Sequence, residues 1–313
     1  MANVTERRIK IETIKQNGTQ KTVFLSILGR PNAGKSSLLN MLVNKKISIV
    51  CSKPQTTRSR INGILTDKNT QIVFTDVPGF LSPKTVLDDY MKKEIDSAIM
   101  GSDAYLYLVE ARDGLSKIDK NILEKIKKIK KPSIVAINKV DLIKNKSFLL
   151  KQMKELGNIF NNSEILLVSA KTGYGKEQLI DKIKELAVPS VFYFPSEGCT
   201  DQSETKMIEE IIREKILCFL DKEVPHGMAV YIDYMNKRKN NLIDINATIL
   251  CQRDSHKGII IGKNGLMLKK IGTYSRIDIE KNLGNKVNLK LWVKIKENWK
   301  NREGVLRELG YMN

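Results

Sequence analysis

Short apolar runs alternate with amphipathic stretches through the N-terminal part of the chain. Runs at 22–28, 61–66, 71–75, 103–110, 133–137 and 165–168 have the length of strands, and helical periods follow Gly34 and recur around 87–100, 118–129, 148–159 and 178–186. Strands that are apolar throughout, separated by helices, predict a mostly parallel sheet covered on both faces. Residues 188–203 have no clear period, contain two prolines and a glycine, and read as a linker. Beyond it the pattern changes. Met207, Ile208, Ile211, Ile212, Ile216, Phe219 and Leu220 form a helical stripe with Ser203 as its cap, and 228–235 and 242–250 alternate as strands. Val287, Leu289, Leu291, Val293 and Ile295 alternate as a third strand with Lys290, Lys294 and Lys296 on its other face. The pattern therefore divides into an N-terminal extension at 1–21, an α/β domain at 22–188, a linker at 189–203 and a smaller α+β domain at 204–313.

The strand ends of the first domain carry the chemistry. Gly29-Arg30-Pro31-Asn32-Ala33-Gly34-Lys35-Ser36 follows the first strand and opens a helix, the context of a P-loop, whose backbone N–H groups cradle phosphates. Lys35 reaches the β and γ phosphates and Ser36 ligates magnesium. Asp76-Val77-Pro78-Gly79 closes the run at 71–75. Asp76 is placed to hold the metal through water, and Gly79 to offer its N–H to a γ phosphate. Asn138-Lys139-Val140-Asp141 closes the run at 133–137, where Asp141 can accept two hydrogen bonds from guanine and would be left unpaired by adenine. Ser169-Ala170-Lys171 ends a further run, with the Ala170 N–H aimed at guanine O6. Together these motifs name a guanine nucleotide, GTP or GDP, with Mg²⁺. The polar stretch Lys53-Pro54-Gln55-Thr56-Thr57-Arg58 fits neither period and reads as a switch that a γ phosphate orders by bringing a threonine to magnesium. Thr57 is the candidate, with Thr56 the alternative. Phe80 follows Gly79 and cannot orient water by hydrogen bonding, so intrinsic hydrolysis is expected to be slow.

Charge adds a second partner. The chain of 313 residues carries a net charge of +19, which favours an anionic surface. Residues 237–300 hold 15 Lys and Arg against 5 Asp and Glu, a net of +10, whereas 191–236 hold 4 against 9, a net of −5. In the basic segment Lys257-Gly258-Ile259-Ile260-Ile261-Gly262-Lys263-Asn264-Gly265 precedes Leu266, Leu268 and Ile271 on a helix. A G-x-x-G loop between helices lets a sugar-phosphate backbone approach a helix N-terminus, with Lys263 supplying charge and the isoleucines and the helix forming a groove for unstacked bases. Four cysteines without C-x-x-C spacing and only two histidines suggest neither a disulfide framework nor a Cys/His zinc site. Reduced thiols and the lack of a long apolar run point to a cytoplasmic protein, and the lack of a heptad to a monomer.

In these motifs, and in Pro54 to Arg58, Ile211 to Lys215 and Leu291-Trp292-Val293-Lys294, the chain from about Thr22 to Tyr311 resembles the Era family of bacterial GTPases, within the wider Era/TrmE type. The resemblance implies a P-loop GTPase domain followed by a type II KH domain. It implies a GTP-hydrolysing ribosome-assembly factor that recognises the single-stranded 3′ end of small-subunit ribosomal RNA on the small ribosomal subunit. Peripheral association with the inner face of the cell membrane is also implied. Asn32 resembles the asparagine with which related GTPases hold K⁺. The alternative from another class is a GTP-binding RNA chaperone or scaffold with little intrinsic hydrolysis.

Overall fold

The computed structural model describes residues 20–312 apart from 52, 54–55, 80–82, 113–114 and 160–163. Pro54, Gln55, Phe80 and nearly all of the expected N-terminal extension lie outside the described residues. The first domain is built on a sheet of strands β1 (Lys21–Leu28), β2 (Ile61–Asp67), β3 (Thr70–Asp76), β4 (Ala104–Glu110), β5 (Ser133–Asn138) and β6 (Glu164–Leu167), in the order β2-β3-β1-β4-β5-β6. All neighbours are parallel except β2 and β3, which run antiparallel from Ile61 opposite Asp76 to Asp67 opposite Thr70. Helices α1 (Lys35–Leu42), α2 (Val86–Gly101), α3 (Lys117–Ile129), α4 (Lys146–Ile159) and α5 (Lys176–Glu185) fill the connections. Two apolar clusters, one around Leu25, Leu39 and Phe74 and one around Tyr105, Leu123 and Val135, fill the two faces. Alternate residues of β1 and β4 divide between them, as the pleat requires.

The segment at 189–203 is more than a tether. β7 (Val188–Pro189) pairs antiparallel with the start of β1, and the Tyr193 and Phe194 amides both donate to the buried Gln71 side chain at 2.9 and 3.0 Å. Further on, the Ile64 amide donates to the Cys199 carbonyl at 2.9 Å. The segment is thus hydrogen-bonded to β1, β3 and the edge strand β2.

The second domain packs helix α6 (Glu204–Phe219), the short α7 (Asp254–Ile261) and the long α8 (Leu266–Leu283) against one face of a three-stranded sheet, β8 (Ala229–Lys237), β9 (Ile243–Cys251) and β10 (Val287–Ile295). The order is β10-β9-β8, with β9 parallel to β10 and antiparallel to β8. Ser203 caps α6 by accepting from the Lys206 amide at 3.2 Å. Ile212, Ile245, Ile249, Ile260, Ile271 and Ile279 are fully enclosed in this core. A C-terminal turn, with Trp299 buried, and helix α9 (Glu303–Glu308) cover the Ala229 and Leu250 end of the opposite sheet face, together with Leu87 and Met91 of α2. One apolar cluster thus spans both domains.

Candidate functional site

The P-loop wraps a cleft of about 820 Å³ lined by Arg30, Asn32, Lys35, Ser36, Thr57 and Gly79 among others. Gly34 is the N-cap of α1 with φ +97, and no side chain caps that end, so the first amides of the helix are left for an anion. A Cβ at Gly34 would lie 2.3 Å from the Asn138 amide nitrogen. Lys35 is 7% exposed and its ammonium donates to the Gly29 and Arg30 carbonyls, each at 3.1 Å. Burial pushes its pKa down, with Asp76 opposing. At Asp76, burial instead raises the carboxyl pKa and Lys35 opposes that.

Asp76 is the hub of the phosphate end. Its Oδ2 accepts from Ser36 Oγ at 2.6 Å, Ser48 Oγ at 3.1 Å and Thr57 Oγ1 at 3.4 Å, and Ser36 and Thr57 lie 3.1 Å apart. Its Oδ1 is buried with no hydrogen-bond partner among the described residues. An orphaned carboxylate oxygen beside two hydroxyls is a donor set of hard oxygens that suits Mg²⁺. Thr56 points elsewhere: its hydroxyl donates to the Lys53 carbonyl at 2.6 Å. Ser48 was not expected from the sequence, because it lies in no motif and reaches Asp76 only through the fold. Gly79 packs on the P-loop, where an added Cβ would stand 3.0 Å from Pro31 Cγ. Val77 is buried in the core behind it.

At the base end Asn138 is a strut. It is 1% exposed, donates to the Ala33 carbonyl at 2.9 Å and accepts from the Ala170 amide at 3.0 Å. Both ends of its side chain are therefore engaged in joining the P-loop to the loop at 169–171. The geometry gives Asn138 the positioning of these two loops, and it gives the Ala170 N–H, expected to meet guanine O6, an intramolecular acceptor. Lys139 extends over the P-loop, donating to the Asn32 carbonyl at 2.8 Å and pairing with Glu110 at 3.0 Å. Asp141 accepts from Ser169 Oγ at 2.6 Å, and Val140 sits in the turn that presents it. Lys171 is exposed at the rim.

The second site is built on β10, which is an edge strand. Between α8 and β10 runs a groove of about 480 Å³ lined by Gly265, Leu268, Lys269, Gly272, Arg276 and Leu291, with Asn288 and Leu289. Gly265, at φ +76, is the N-cap of α8, again without a side-chain cap. Gly262, at φ +71, turns the chain so tightly that a Cβ would meet Met267 Cβ at 2.7 Å. Of the residues expected in the grip, Lys257 and Gly258 lie on α7, Lys263 and Asn264 are exposed in the loop, and Ile259 is 48% exposed. Ile260 is not part of a groove wall. It is fully buried in the domain core, and the wall opposite the helix is the edge of β10, which the sequence pattern did not single out because edge and central strands alternate alike.

Val50, Lys53, Thr56 and Arg58, which follow the P-loop helix, bond to the second domain. The Val50 amide donates to Glu214 Oε1 at 2.9 Å, and Lys53 bonds the Leu220 carbonyl and reaches Asp221 at 3.1 Å. The Arg213 guanidinium bonds the Thr56 carbonyl and is paired with Glu210 at 2.5 Å. Arg58, 2% exposed, donates to the Met228 and His226 carbonyls at 2.6 and 2.9 Å and lies 5.7 Å over the Trp299 ring. Glu210, Arg213 and Glu214 are buried charges on α6; the stretch Ile211 to Lys215 carried the family resemblance, but the hydrophobic pattern gave no sign that its charges are enclosed.

A P-loop nucleotide site of guanine type joined to a GXXG groove defines the class: a GTP-binding protein with an appended KH domain. The family model described as a 50S ribosome-binding GTPase matches residues 24–139, and the KH domain model matches 223–300. The chain is 44% identical to GTPase Era of Clostridium tetani over 93% of its length and 99% of the relative's. It is 45% identical to that of Alkaliphilus oremlandii over 94% and 99%. Two crystal structures match with TM-scores of 0.90 at 34% identity, covering 94% of this chain and all of theirs. One is a variant of Aquifex aeolicus Era bound to GDP and AlF₄⁻, and the other is Era with MgGDPNP and nucleotides 1506–1542 of 16S ribosomal RNA. The chain belongs to the Era family of GTPases. Among the described residues no helix is long and apolar enough to cross a membrane.

Proposed function

We propose that this protein hydrolyses GTP as a ribosome-assembly factor and grips the single-stranded 3′ end of small-subunit ribosomal RNA with the domain at 204–313, using nucleotide state in the domain at 22–188 as the switch. The observation that carries the coupling is the tripeptide Thr56-Thr57-Arg58. Its middle residue stands 3.1 Å from Ser36, while its neighbours are hydrogen-bonded to Arg213, Met228 and His226 of the second domain. A backbone shift at Thr57 is passed directly to residues that hold those bonds. The related structure holding both a GTP analogue and a 16S segment supports the pairing of ligands.

At the nucleotide, Lys35 and the amides after Gly34 hold the β and γ phosphates, and the Gly79 N–H serves the γ phosphate. Ser36, Thr57 and Asp76 would hold Mg²⁺, which when bound neutralises charge on the phosphate oxygens. Asn138 and Lys139 brace the loops, and Asp141 selects guanine, with the loop at Ser169, Ala170 and Lys171 closing over the base. Phe80 offers no hydrogen bond to water, so the intrinsic rate is slow. The scaffold reading finds no support in relatives that are named as GTPases. Asn32, exposed at the cleft, is the residue that would hold K⁺. Replacing Na⁺ by K⁺ should raise turnover, and equal rates would reject that role.

Single-turnover hydrolysis of GTP and ATP, with and without small-subunit RNA, tests the reading. GTP alone should be cleaved; a rate no faster than the uncatalysed background with RNA and subunits present would overturn it. Crosslinking of bound RNA in GTP and in GDP should give different yields at the same sequence. Peripheral membrane association and a monomeric state complete the reading. Co-sedimentation with anionic liposomes and light scattering test them, with no liposome binding and a stable dimer as the contrary outcomes.

A further inference from the structure

Three hydroxyls stand around Asp76 Oδ2, and one of them has no place in the nucleotide cleft. Ser36 and Thr57 line the cleft, where each is also a candidate ligand of the metal, whereas Ser48 is 1% exposed and does not line it. Ser48 Oγ lies 3.1 Å from Oδ2, nearer than Thr57 Oγ1 at 3.4 Å. A carboxylate oxygen offers about two lone-pair sites, so Ser36 and Ser48 fill those of Oδ2. That leaves Oδ1, buried and without a partner among the described residues, as the oxygen open to a metal ion or to its water.

Ser48 is itself held in place. Asn40, on α1, accepts from the Ile47 and Ser48 amides with its Oδ1, both at 2.9 Å, and donates to the Ser48 carbonyl with its Nδ2 at 2.7 Å. Both backbone polar groups of Ser48 are thus taken by one side chain. Ile47, the residue before it, is enclosed in the same apolar cluster as Leu39 and Leu42 of α1. With the backbone fixed, a serine has a single χ1 angle left to set, so its hydroxyl is aimed at little entropic cost. Ser36 and Asn40 stand one turn apart on α1. The helix that begins at the phosphate loop therefore carries one candidate metal ligand directly and braces the carboxylate through a second residue.

From these observations we infer that Ser48 is a positioning residue for the metal site: it holds Asp76 by Oδ2, with Asn40 fixing Ser48, and so keeps Oδ1 turned to Mg²⁺. Ser48 touches neither nucleotide nor metal in this role. The inference rests on the Mg²⁺ site of the proposed function, and the experiment separates the two. The full-length protein is loaded with a fluorescent GDP analogue, and its release into excess GDP is timed from EDTA up to millimolar Mg²⁺. Release from the wild type should slow as Mg²⁺ rises. Removing the outer partner of a carboxylate at a metal costs about 10- to 100-fold in metal affinity, so Ser48→Ala should move the midpoint to roughly tenfold higher Mg²⁺ while release in EDTA stays as in the wild type. Ser48→Thr keeps the hydroxyl and should return the midpoint toward the wild-type value. Asn40→Ala leaves the hydroxyl but frees its carrier, and should give a shift between those of Ser48→Ala and Ser48→Thr. Mn²⁺ binding followed by electron paramagnetic resonance should rank the variants in the same order. An unchanged midpoint in Ser48→Ala, equal shifts in the Ala and Thr variants, or release quickened as much in EDTA as in Mg²⁺ would overturn the role. Wild-type release that does not respond to Mg²⁺ would remove the metal site itself.

Discussion

At Gly34 and at Gly265 the chain makes the same move: a left-handed glycine caps a helix and no side chain satisfies the first turn, although at Gly265 the Leu266 amide is taken by the Lys263 carbonyl. Around that shared device the surroundings diverge. At Gly34 the neighbours are buried and bonded to one another, with Lys35, Asp76 and Asn138 each at least nine-tenths enclosed. At Gly265 the neighbours are open, and Lys263 and Asn264 project from the surface. The first arrangement must recognise every atom of one small molecule, so its polar groups are set in advance and a wrong ligand leaves them unpaired. The second must admit a polymer whose ends lie elsewhere, so it offers an edge, a groove and charge, and leaves most of the binding to repetition along the strand.

Asp141 is where that difference should break most visibly. Asp141→Ala removes two charge-assisted hydrogen bonds to guanine, a loss of about 3–6 kcal/mol in GTP affinity, and competition binding should then show no preference for GTP over ATP; a variant that still excludes ATP would contradict the assignment. The two glycines provide the direct comparison. Gly34→Ala places a methyl 2.3 Å from Asn138 on top of the positive φ, whereas an added Cβ at Gly265 meets nothing within 4 Å. Both variants carry about 1–2 kcal/mol of backbone strain, but only Gly34→Ala should also cost nucleotide binding, measured by calorimetry and by melting temperature. Equal losses would mean that the two loops are equally tolerant.

A smaller change is expected on the open side. Lys263→Asp combined with Asn264→Asp should weaken RNA binding ten- to a hundredfold by repulsion while GTP affinity stays the same, and unchanged RNA affinity would reject the GXXG grip. At the junction the expected effect is on stability alone: burial pushes the Lys300 pKa down to about 8 from the usual 10.5, with Arg58 adding to it. The folded chain then holds fewer protons than the unfolded one between those values, so stability rises with pH across that window and the penalty is fully present below it. Lys300→Met should remove this rise. Comparing melting temperatures of the two proteins at pH 7.5 and 10 tests it, and parallel shifts would place the titration elsewhere.

How far each site could be read from the sequence follows the same division. The strands at 71–75, 103–110 and 133–137 fall within a residue of β3, β4 and β5, because these central strands are buried on both faces and leave an unmistakable apolar run. The P-loop, Asp76 and the tetrapeptide ending at Asp141 were legible because each is a contiguous turn at a strand end. Asn138 was legible as a motif member but not as a strut, since its partners lie 105 and 32 residues away. Ser48 gave no signal at all. In the second domain the loop was visible and its wall was not, because Ile260 and Leu291 carry the same apolar label while one faces the core and the other the groove.

The sequence by itself determined the candidate ligand chemistry: which loop is built to hold phosphate, which carboxylate is placed to read guanine, and that a second loop of phosphate-gripping pattern stands in a basic segment. Such features are local, because a loop conformation and the donors it presents are set by a handful of neighbouring residues. Only the tertiary structure decided how the two grips are joined. Arg58 meets Met228 across 170 residues of chain and Arg213 meets Thr56 across 157, and contacts of that kind depend on strand order, on helix placement and on which charges the packing encloses.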